Sequence, residues 1–362
     1  MNDRQWDELL QVIAGERLAT PPVGFIIDSP WLPGWAGLST LDYFSCDSLW
    51  LQANLKAVRR FPDVLFLPGF WSEFGMCTEP SAFGSKCIWH ENDLPFAERT
   101  VRTPGEMAAL ARPDARSDGL LPLVLKRLQH ARPAMEAQGH AVRFAVARGP
   151  LNIASFLAGS TDFLVALKTD PAACHAMLAA ITDFLCDWLR LQAETLPTIQ
   201  GIFLLDDLVG FLGRDDFAAF AAPYLARAFR AFDAKVRFFH NDAPGIICAP
   251  FLEEIGVNLF NFSFQHSLAD MRQRAGPAVA QLGNLPPRDV LAAGTPDDVR
   301  KGVRAMMEPM PDLRRVVLSC GGGLPPGVPT ANLEAFIAAA RTSGDRTSGD
   351  LRGHNDLRGH NT

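Results

Sequence analysis

The sequence predicts a single (β/α)8 TIM barrel, a fold of the α/β class. Eight short apolar runs rich in β-branched and aromatic residues recur along the 362-residue chain, and amphipathic helical stretches separate most of them. Such repeated alternation is typical of a parallel sheet surrounded by helices. A doubly wound open sheet is the alternative, but no Gly-x-Gly-x-x-Gly follows the first run.

Each element follows from its hydrophobic period. The eight predicted strands cover 23–28, 63–69, 142–149, 201–207, 236–242, 257–263, 278–284 and 315–320. Apolar residues at i, i+3 and i+4 predict helices over 42–60, 119–137, 171–195, 215–233, 297–308 and 330–341. The first 18 residues are read as an amphipathic helix and not as a signal peptide. The stretch 70–100 is predicted to be an inserted loop over the barrel mouth.

The end of the chain has a different composition. The pentapeptide RTSGD occurs twice from Arg341, and LRGHND and LRGHNT follow in tandem. Short polar repeats cannot bury a hydrophobic core. We therefore predict one domain, residues 1–341, followed by a disordered repetitive tail, residues 342–362.

Composition excludes several classes of partner. The net charge is −6 and the pI about 5.8, which does not favour nucleic acid or an anionic membrane surface. No apolar run approaches the roughly 20 residues of a membrane span. The seven cysteines are odd in number and contain no Cys-x-x-Cys pair. A reduced, cytoplasmic protein is the natural interpretation.

The predicted strands end in polar residues. In a TIM barrel the active site lies at these C-terminal ends. The residues found there are Asp28, Arg148, Asp206, Asp207, His240, Asn241, Asp242, Asn261, Ser263, Asn284 and Cys320. This set of carboxylates, amides and metal ligands predicts a catalytic site. The alternative is that some of them, Asp206, Asp207 and Ser263 above all, only cap the helices that follow.

Three of these residues suggest a metal site. His240 and Asp242 are two apart on a strand, so their side chains point to the same face. Cys320 ends the last strand before three glycines, where the backbone can approach a ligand closely. Imidazole, carboxylate and thiolate are ordinary zinc ligands, and three of them leave one position open. A buried free cysteine beside a hydrogen-bonded His–Asp pair is the alternative.

Five segments carry a resemblance to a known family. The chain resembles the uroporphyrinogen decarboxylase superfamily, which contains porphyrinogen decarboxylases and corrinoid-linked methyltransferases. The matching segments are LLDDLVGFLGRDDFAAFAAPYLARAF (204–229), FFHNDAPG (238–245), LFNFSFQHSLADMRQ (259–273), QLGNLPPRDVLAAGTPDDVRKGV (281–303) and LSCGGGLPPGVPTANLEAFIAAAR (318–341). The resemblance implies a single TIM barrel, in agreement with the strand count.

The methyltransferase branch matches better than the decarboxylase branch. The decarboxylases carry an arginine-rich motif resembling RQAGRY after the first strand, whereas this chain has no arginine between Arg17 and Arg59. A polycarboxylate tetrapyrrole needs fixed guanidinium groups. In the zinc-dependent methyltransferases, His-x-Cys ends the fifth strand and a cysteine ends the eighth. The resemblance therefore implies His240, Asp242 and Cys320 as zinc ligands, with Asp242 in place of the first cysteine.

The resemblance also suggests the other residues of the site. It implies that Glu73 and Glu79 lie near the mouth, where Glu79 would be a fourth ligand or a proton donor. Asp206, Asp207 and His266 are the other candidate proton donors. Candidate substrate-binding residues are Asn261, Trp71, Phe74 and Arg148.

We expect a methyltransferase that moves a methyl group between a small methylated compound, favoured to be methoxylated, and the cobalt of a corrinoid. The chain has no corrinoid-binding Asp-x-His-x-x-Gly, so the corrinoid must come from a separate protein. Decarboxylation of a small acid and a catalytically idle binding subunit are the alternatives. The methyl donor, the direction of transfer and the oligomeric state are left open, a homodimer included.

Overall fold

The computed structural model describes residues 1–27 and 30–349 of the chain. Asp28, one of the candidate strand-end residues, lies outside the described residues. So do residues 350–362 of the predicted tail.

Eight parallel strands form one sheet of six strands and one of two, and each strand coincides with one of the predicted apolar runs. A short antiparallel pair, β3 and β4, adds two strands within the inserted stretch 70–100. The strands are β1 Gly24–Ile26, β2 Leu65–Leu67, β3 Cys87–Ile88, β4 Phe96–Ala97, β5 Phe144–Arg148, β6 Gly201–Leu205, β7 Val236–Asn241, β8 Leu259–Phe262, β9 Ala280–Leu285 and β10 Val316–Cys320.

The strand order is that of a (β/α)8 barrel. Strands β5 to β10 pair in sequence order, and β1 pairs with β2. Parallel bridges from Val23 to Leu318 and from Ile26 to Gly323 join β1 to β10. Between β2 and β5 the described residues form no strand pairing. The predicted α/β class and parallel arrangement are confirmed.

Helices surround the sheet. Their bounds are α1 Asp3–Ala14, α2 Leu32–Ala36, α3 Thr40–Ser45, α4 Asp47–Arg60, α5 Thr78–Ala82, α6 Pro104–Ala108, α7 Leu121–Glu136, α8 Pro150–Ala158, α9 Ser160–Thr169, α10 Pro171–Thr195, α11 Arg214–Asp216, α12 Ala222–Phe229, α13 Leu268–Ala275, α14 Pro296–Met307 and α15 Thr330–Gly349. Helix α15 continues eight residues beyond Arg341, into the segment predicted to be a tail.

The N-terminal helix fills one end of the barrel. Trp6, Leu9 and Val12 of α1 belong to the same buried cluster as the inward-facing residues of the strands, among them Phe203 and Phe238. The guanidinium of Arg315, which precedes β10, hydrogen-bonds to the last carbonyls of α1. These contacts lie at the N-terminal ends of the strands, so the opposite end is left for the site.

Helix α10 is the one helix of the described chain that is long and apolar enough to cross a bilayer. It has 25 residues, and 61% of its most apolar window is buried inside the protein. A buried apolar helix of this kind is typical of a core helix in a globular protein. Polar residues are scattered along it, so it contains no unbroken apolar run of membrane-spanning length.

Candidate active site at the C-terminal ends of the strands

Three of four neighbouring strands bring a polar residue to one level of the barrel. Arg148 of β5 is in register with Leu205 of β6, Leu205 with His240 of β7, and His240 with Asn261 of β8. Val236 and Phe238 belong to the interior cluster, and His240 follows them on the same face of β7. Arg148 and His240 lie two strands apart, about 10 Å at the backbone.

Asp207, His240 and Asp242 converge just beyond β6 and β7. One ligand atom from each lies within 4.8 Å of the other two. His240 Nε2 is 3.5 Å from Asp207 Oδ1 and 3.9 Å from Asp242 Oδ2. Desolvation at the barrel mouth raises the pKa of Asp207, and the attraction of His240 opposes this shift. Two carboxylates this close attract a cation.

Asn261 determines which nitrogen of His240 faces these carboxylates. Its Nδ2 donates hydrogen bonds to the carbonyls of Leu282 and Cys320, at 2.7 and 3.3 Å. Its Oδ1 is therefore the atom 2.7 Å from His240 Nδ1, and it can only accept. Neutral His240 thus carries its proton on Nδ1 and presents the lone pair of Nε2 to the carboxylates. A metal ligand or a general base needs this tautomer.

Two glycines hold Asp207 beside Asp242. Asp207 begins a 3-10 turn, Asp207–Phe211, that packs against the loop following β7. A Cβ on Gly245 would overlap the carbonyl oxygen of Gly210, so the two backbones touch there. The backbone N–H of Asp242 also donates to Asp207 Oδ1 at 3.2 Å. The turn and the loop therefore form one packed unit.

Asp206 caps a neighbouring helix. It is fully buried, and its two carboxylate oxygens accept hydrogen bonds from the N–H groups of Leu151 and Asn152, each at 2.9 Å. These groups lie in the first turn of α8, where a carboxylate is stabilising. Burial raises the pKa of Asp206 well above its ordinary value. The sequence alternative was a cap on the helix that follows β6, whereas α8 comes before β6 in the chain.

Glu79 is a buried acid next to Arg148, at the end of β5. Its Oε1 accepts a hydrogen bond from the N–H of Arg148 at 3.2 Å, and its Oε2 has no hydrogen-bond partner. Burial raises its pKa to about 7, although Arg148 opposes the shift. The guanidinium of Arg148 forms an ion pair with Glu73 at 2.7 Å. Glu79 can therefore hold a proton at neutral pH and give it up nearby.

The two candidate aromatic residues lie in different places. Trp71 belongs to the interior cluster and packs under the guanidinium of Arg148, 5.1 Å from its ring centre. Phe74 packs against Phe44, Trp89 and Arg127. Trp71 therefore forms part of the barrel floor next to Arg148, whereas Phe74 supports the inserted stretch 70–100.

His266 is fixed by the loop that carries Asp242. Its Nε2 lies 2.8 Å from the carbonyl of Pro244, so this nitrogen bears the proton. Its Nδ1 lies 3.8 Å from Asp270. The imidazole thus joins the start of α13 to the loop beyond β7.

Cys320 is not a member of the group formed by Asp207, His240 and Asp242. It follows Val316 and Leu318 on one face of β10, whereas Val317 belongs to the interior cluster. Its Sγ lies 3.3 Å from the carbonyl of Gly322. A Cβ on Gly322 would lie 2.7 Å from Asp242 Oδ2, so residue 322 faces the group.

Comparison with known proteins assigns the family. The family model described as uroporphyrinogen decarboxylase (URO-D) matches residues 5–343. The chain belongs to the uroporphyrinogen decarboxylase family. The membership expected from the sequence motifs is confirmed.

Relatives in this family carry two kinds of activity. The chain is 25% identical over 272 residues to a methylated-thiol–coenzyme M methyltransferase of Methanosarcina mazei, covering 74% of this chain and 71% of that protein. It is 24% identical over 313 residues to a uroporphyrinogen decarboxylase of Alcanivorax borkumensis, covering 83% and 85%. Among solved structures, a methyltransferase from Methanosarcina mazei superimposes with a TM-score of 0.78 at 18% identity, covering 94% of this chain and 98% of the other.

The donor atoms of this member of the family suit a divalent cation. One imidazole nitrogen and two carboxylates form a set with no sulfur, and their charges balance a 2+ ion. The lone pair of His240 Nε2 points toward both carboxylates, and these electron-rich groups repel one another. Only a proton or a cation between them removes this repulsion. The group therefore fits zinc or another divalent ion of similar preference.

Sequence reasoning missed Asn152, which positions this site, and expected Glu73 near the mouth without giving it a role. Asn152 accepts a hydrogen bond from the N–H of Leu208 at 3.0 Å and donates one to the carbonyl of Leu205 at 3.2 Å, and so holds the turn that carries Asp207. Glu73 orients Arg148. Asn152 could not be found in this way, because an amide three residues into α8 gives no sequence signal.

Proposed function

We propose that the chain is a methyltransferase that moves a methyl group between a small methylated compound and the cobalt of a separate corrinoid protein. The single observation that carries the proposal is the convergence of Asp207, His240 and Asp242 at the barrel mouth, with His240 held in one tautomer by Asn261. The methyltransferase relative supports the reaction class. We also place the chain in the cytoplasm, the compartment expected from the number and spacing of its cysteines.

In this proposal Asp207, His240 and Asp242 hold zinc. When bound, zinc supplies Lewis-acid activation of the atom that carries the methyl group. Thiolate ligands are softer than oxygen ligands, and the described group has none. The set therefore favours an oxygen atom, as in a methyl ether, over a thiol. Asn261 keeps Nε2 of His240 directed at the site throughout.

Glu79 is the proposed proton donor to the leaving oxygen. Asp206 is used as a helix cap, and His266 Nε2 is held by the carbonyl of Pro244. Glu79 keeps one oxygen without a partner, and its pKa of about 7 leaves it partly protonated at neutral pH. An alkoxide leaves poorly unless it is protonated, so an acid here lowers the barrier. Arg148 and Trp71 form the floor beside it.

The test mixes the chain with a reduced corrinoid protein and aromatic methyl ethers. We expect the cobalt(I) absorption to give way to methyl-cobalt(III), and we expect His240→Ala to abolish the change. His130→Ala, at an exposed position of α7, is the matched control and should leave the rate unchanged. A flat spectrum with every ether, together with methylation of a thiol from methylcobalamin, would reverse the direction proposed.

Decarboxylation of a small acid is the second candidate. The buried acid Glu79 favours it, because a decarboxylase must protonate the carbanion left by carbon dioxide. The decarboxylase relatives cover as much of the chain as the methyltransferase does. Release of carbon dioxide from a small acid, with no change at cobalt, would select this reaction.

A further inference from the structure

One apolar side chain interrupts the polar level at the barrel mouth. In the register of β5, β6 and β7, Leu205 lies between Arg148 and His240. Adjacent strands are about 4.8 Å apart, so these residues are direct neighbours. Leu205 belongs to the interior cluster, whereas Leu204 belongs to the cluster on the other face of the strand. The Leu205 side chain therefore points into the barrel.

Leu205 is the member of the interior cluster that opens to the mouth. It keeps 8% of its surface exposed, the largest fraction among the buried residues of this cluster. Phe203, two residues earlier on the same face, is fully buried and stacks on Phe238, with the ring centres 4.2 Å apart. Because this lower layer is closed to solvent, the exposed part of Leu205 faces the mouth.

Hydrogen bonds fix the backbone of Leu205. Its carbonyl accepts from the N–H of Gly149 at 2.7 Å and from Nδ2 of Asn152 at 3.2 Å. The side chain is therefore presented from a fixed position above the packed rings of the interior cluster. Ligand pockets use preformed apolar surfaces of this kind to hold the body of a ligand, while a few polar groups set its orientation.

Polar groups lie on both sides of Leu205. Toward β7 is the group formed by Asp207, His240 and Asp242, which holds the metal in the proposed function. Toward β5 is Arg148, whose charge is balanced by an ion pair with a buried carboxylate. A substrate that places its methylated atom at the metal-binding group therefore meets Leu205 with the next part of its body.

We propose that Leu205 is a specificity-determining residue, whose side chain contacts the apolar body of the substrate while the methylated oxygen lies at Asp207, His240 and Asp242. This inference rests on the proposed function, and it adds that the substrate carries an apolar body beyond the methyl group that is transferred. An aromatic methyl ether has such a body, and covering Leu205 with its ring removes apolar surface from water. Methanol has no part that can make this contact.

The test measures the affinity of the full-length protein, purified without chelator, for methoxybenzene by calorimetric titration in the absence of a corrinoid. We expect Leu205→Ala to bind about 10-fold more weakly than the wild type, because the shortened side chain loses its contact with the ring. Leu205→Phe should also bind more weakly, because the larger side chain takes the space of the substrate, and it serves as the test if Leu205→Ala does not fold. Leu204→Ala is the matched control, since Leu204 is a fully buried leucine of the same strand that faces away from the mouth. It should bind methoxybenzene as the wild type does.

The outcomes separate this inference from the proposed function. Equal affinity of the wild type and the Leu205 variants, or no binding of methoxybenzene to the wild type, would overturn the inference. Binding that depends on Leu205, with no change at the cobalt of a reduced corrinoid protein, would support the contact and contradict the proposed function. Methyl transfer from methoxybenzene with the same KM in the wild type and the Leu205 variants would support the proposed function and contradict the role of Leu205.

Discussion

Asn261 Oδ1 lies 2.7 Å from His240 Nδ1, and this one contact fixes the side of the imidazole that faces Asp207 and Asp242. The amide cannot turn over, because its Nδ2 serves two backbone carbonyls. Outer-shell partners of this kind orient metal-ligating histidines and contribute to metal affinity. Asn261 was predicted to bind substrate, and in the structure its polar atoms are all engaged within the protein.

The first prediction follows from this contact. Asn261→Ala should lower the affinity for zinc by roughly 10- to 100-fold. It should also reduce the free energy of unfolding by about 1–3 kcal/mol, because buried polar groups lose their partner. Calorimetric titration of the metal-free protein with zinc measures the first effect, and urea unfolding measures the second.

Asn258→Ala is the matched control for Asn261→Ala. Asn258 also bonds to two backbone groups of the strand region, but at the opposite end of β7 and β8. It should lose stability without losing zinc affinity. Equal loss of affinity in both variants would assign Asn261 a purely structural role.

Much of the fold was predictable, because each of the eight barrel strands is a local apolar run. His240 and Asp242 were expected to share a face of the strand, and His240 Nε2 lies 3.9 Å from Asp242 Oδ2. Asp207 was expected only as an acid, because the contact between Gly210 and Gly245 that sets it beside Asp242 is not visible in sequence. The face of Cys320 could not be determined, since Val316, Val317 and Leu318 are all apolar and give no alternation.

The second prediction concerns Glu79 and pH. Its pKa rises from an ordinary 4.5 to about 7 in the folded protein, so between these values the folded chain holds a proton that the unfolded chain has released. Stability should therefore fall as the pH rises through this window and level off above it. Glu79→Gln removes this effect. The free energy of unfolding of the variant minus that of the wild type should therefore be roughly 3 kcal/mol larger at pH 8 than at pH 4.5.

Thermal or urea unfolding across this pH range measures the difference. Glu91→Gln, at an exposed position, is the control and should follow the wild-type curve. If the difference in stability between the wild type and Glu79→Gln is the same at pH 4.5 and pH 7, Glu79 ionises normally.

The third prediction concerns the packed turn and loop. Gly245→Ala should force Gly210 and Asp207 away from Asp242, because the new Cβ has no space beside the carbonyl of Gly210. We expect a loss of about 1–3 kcal/mol in the free energy of unfolding, as for other overpacked sites. Zinc affinity should fall as well.

Gly213→Ala is the control for Gly245→Ala. A Cβ on Gly213 would meet only Asp216 Oδ2, at 3.9 Å. This variant should retain both stability and zinc affinity. Retention of zinc affinity by Gly245→Ala would mean that the position of Asp207 is not set by this contact.

Metal content tests the account most directly, because the proposed site is made of Asp207, His240 and Asp242. Elemental analysis of protein purified without chelator should find about one zinc per chain. His240→Ala and Asp207→Asn should lose this zinc, and Cys320→Ser should keep it. Loss of zinc from Cys320→Ser, with retention in Asp207→Asn, would contradict the account and restore the ligand set expected from the sequence.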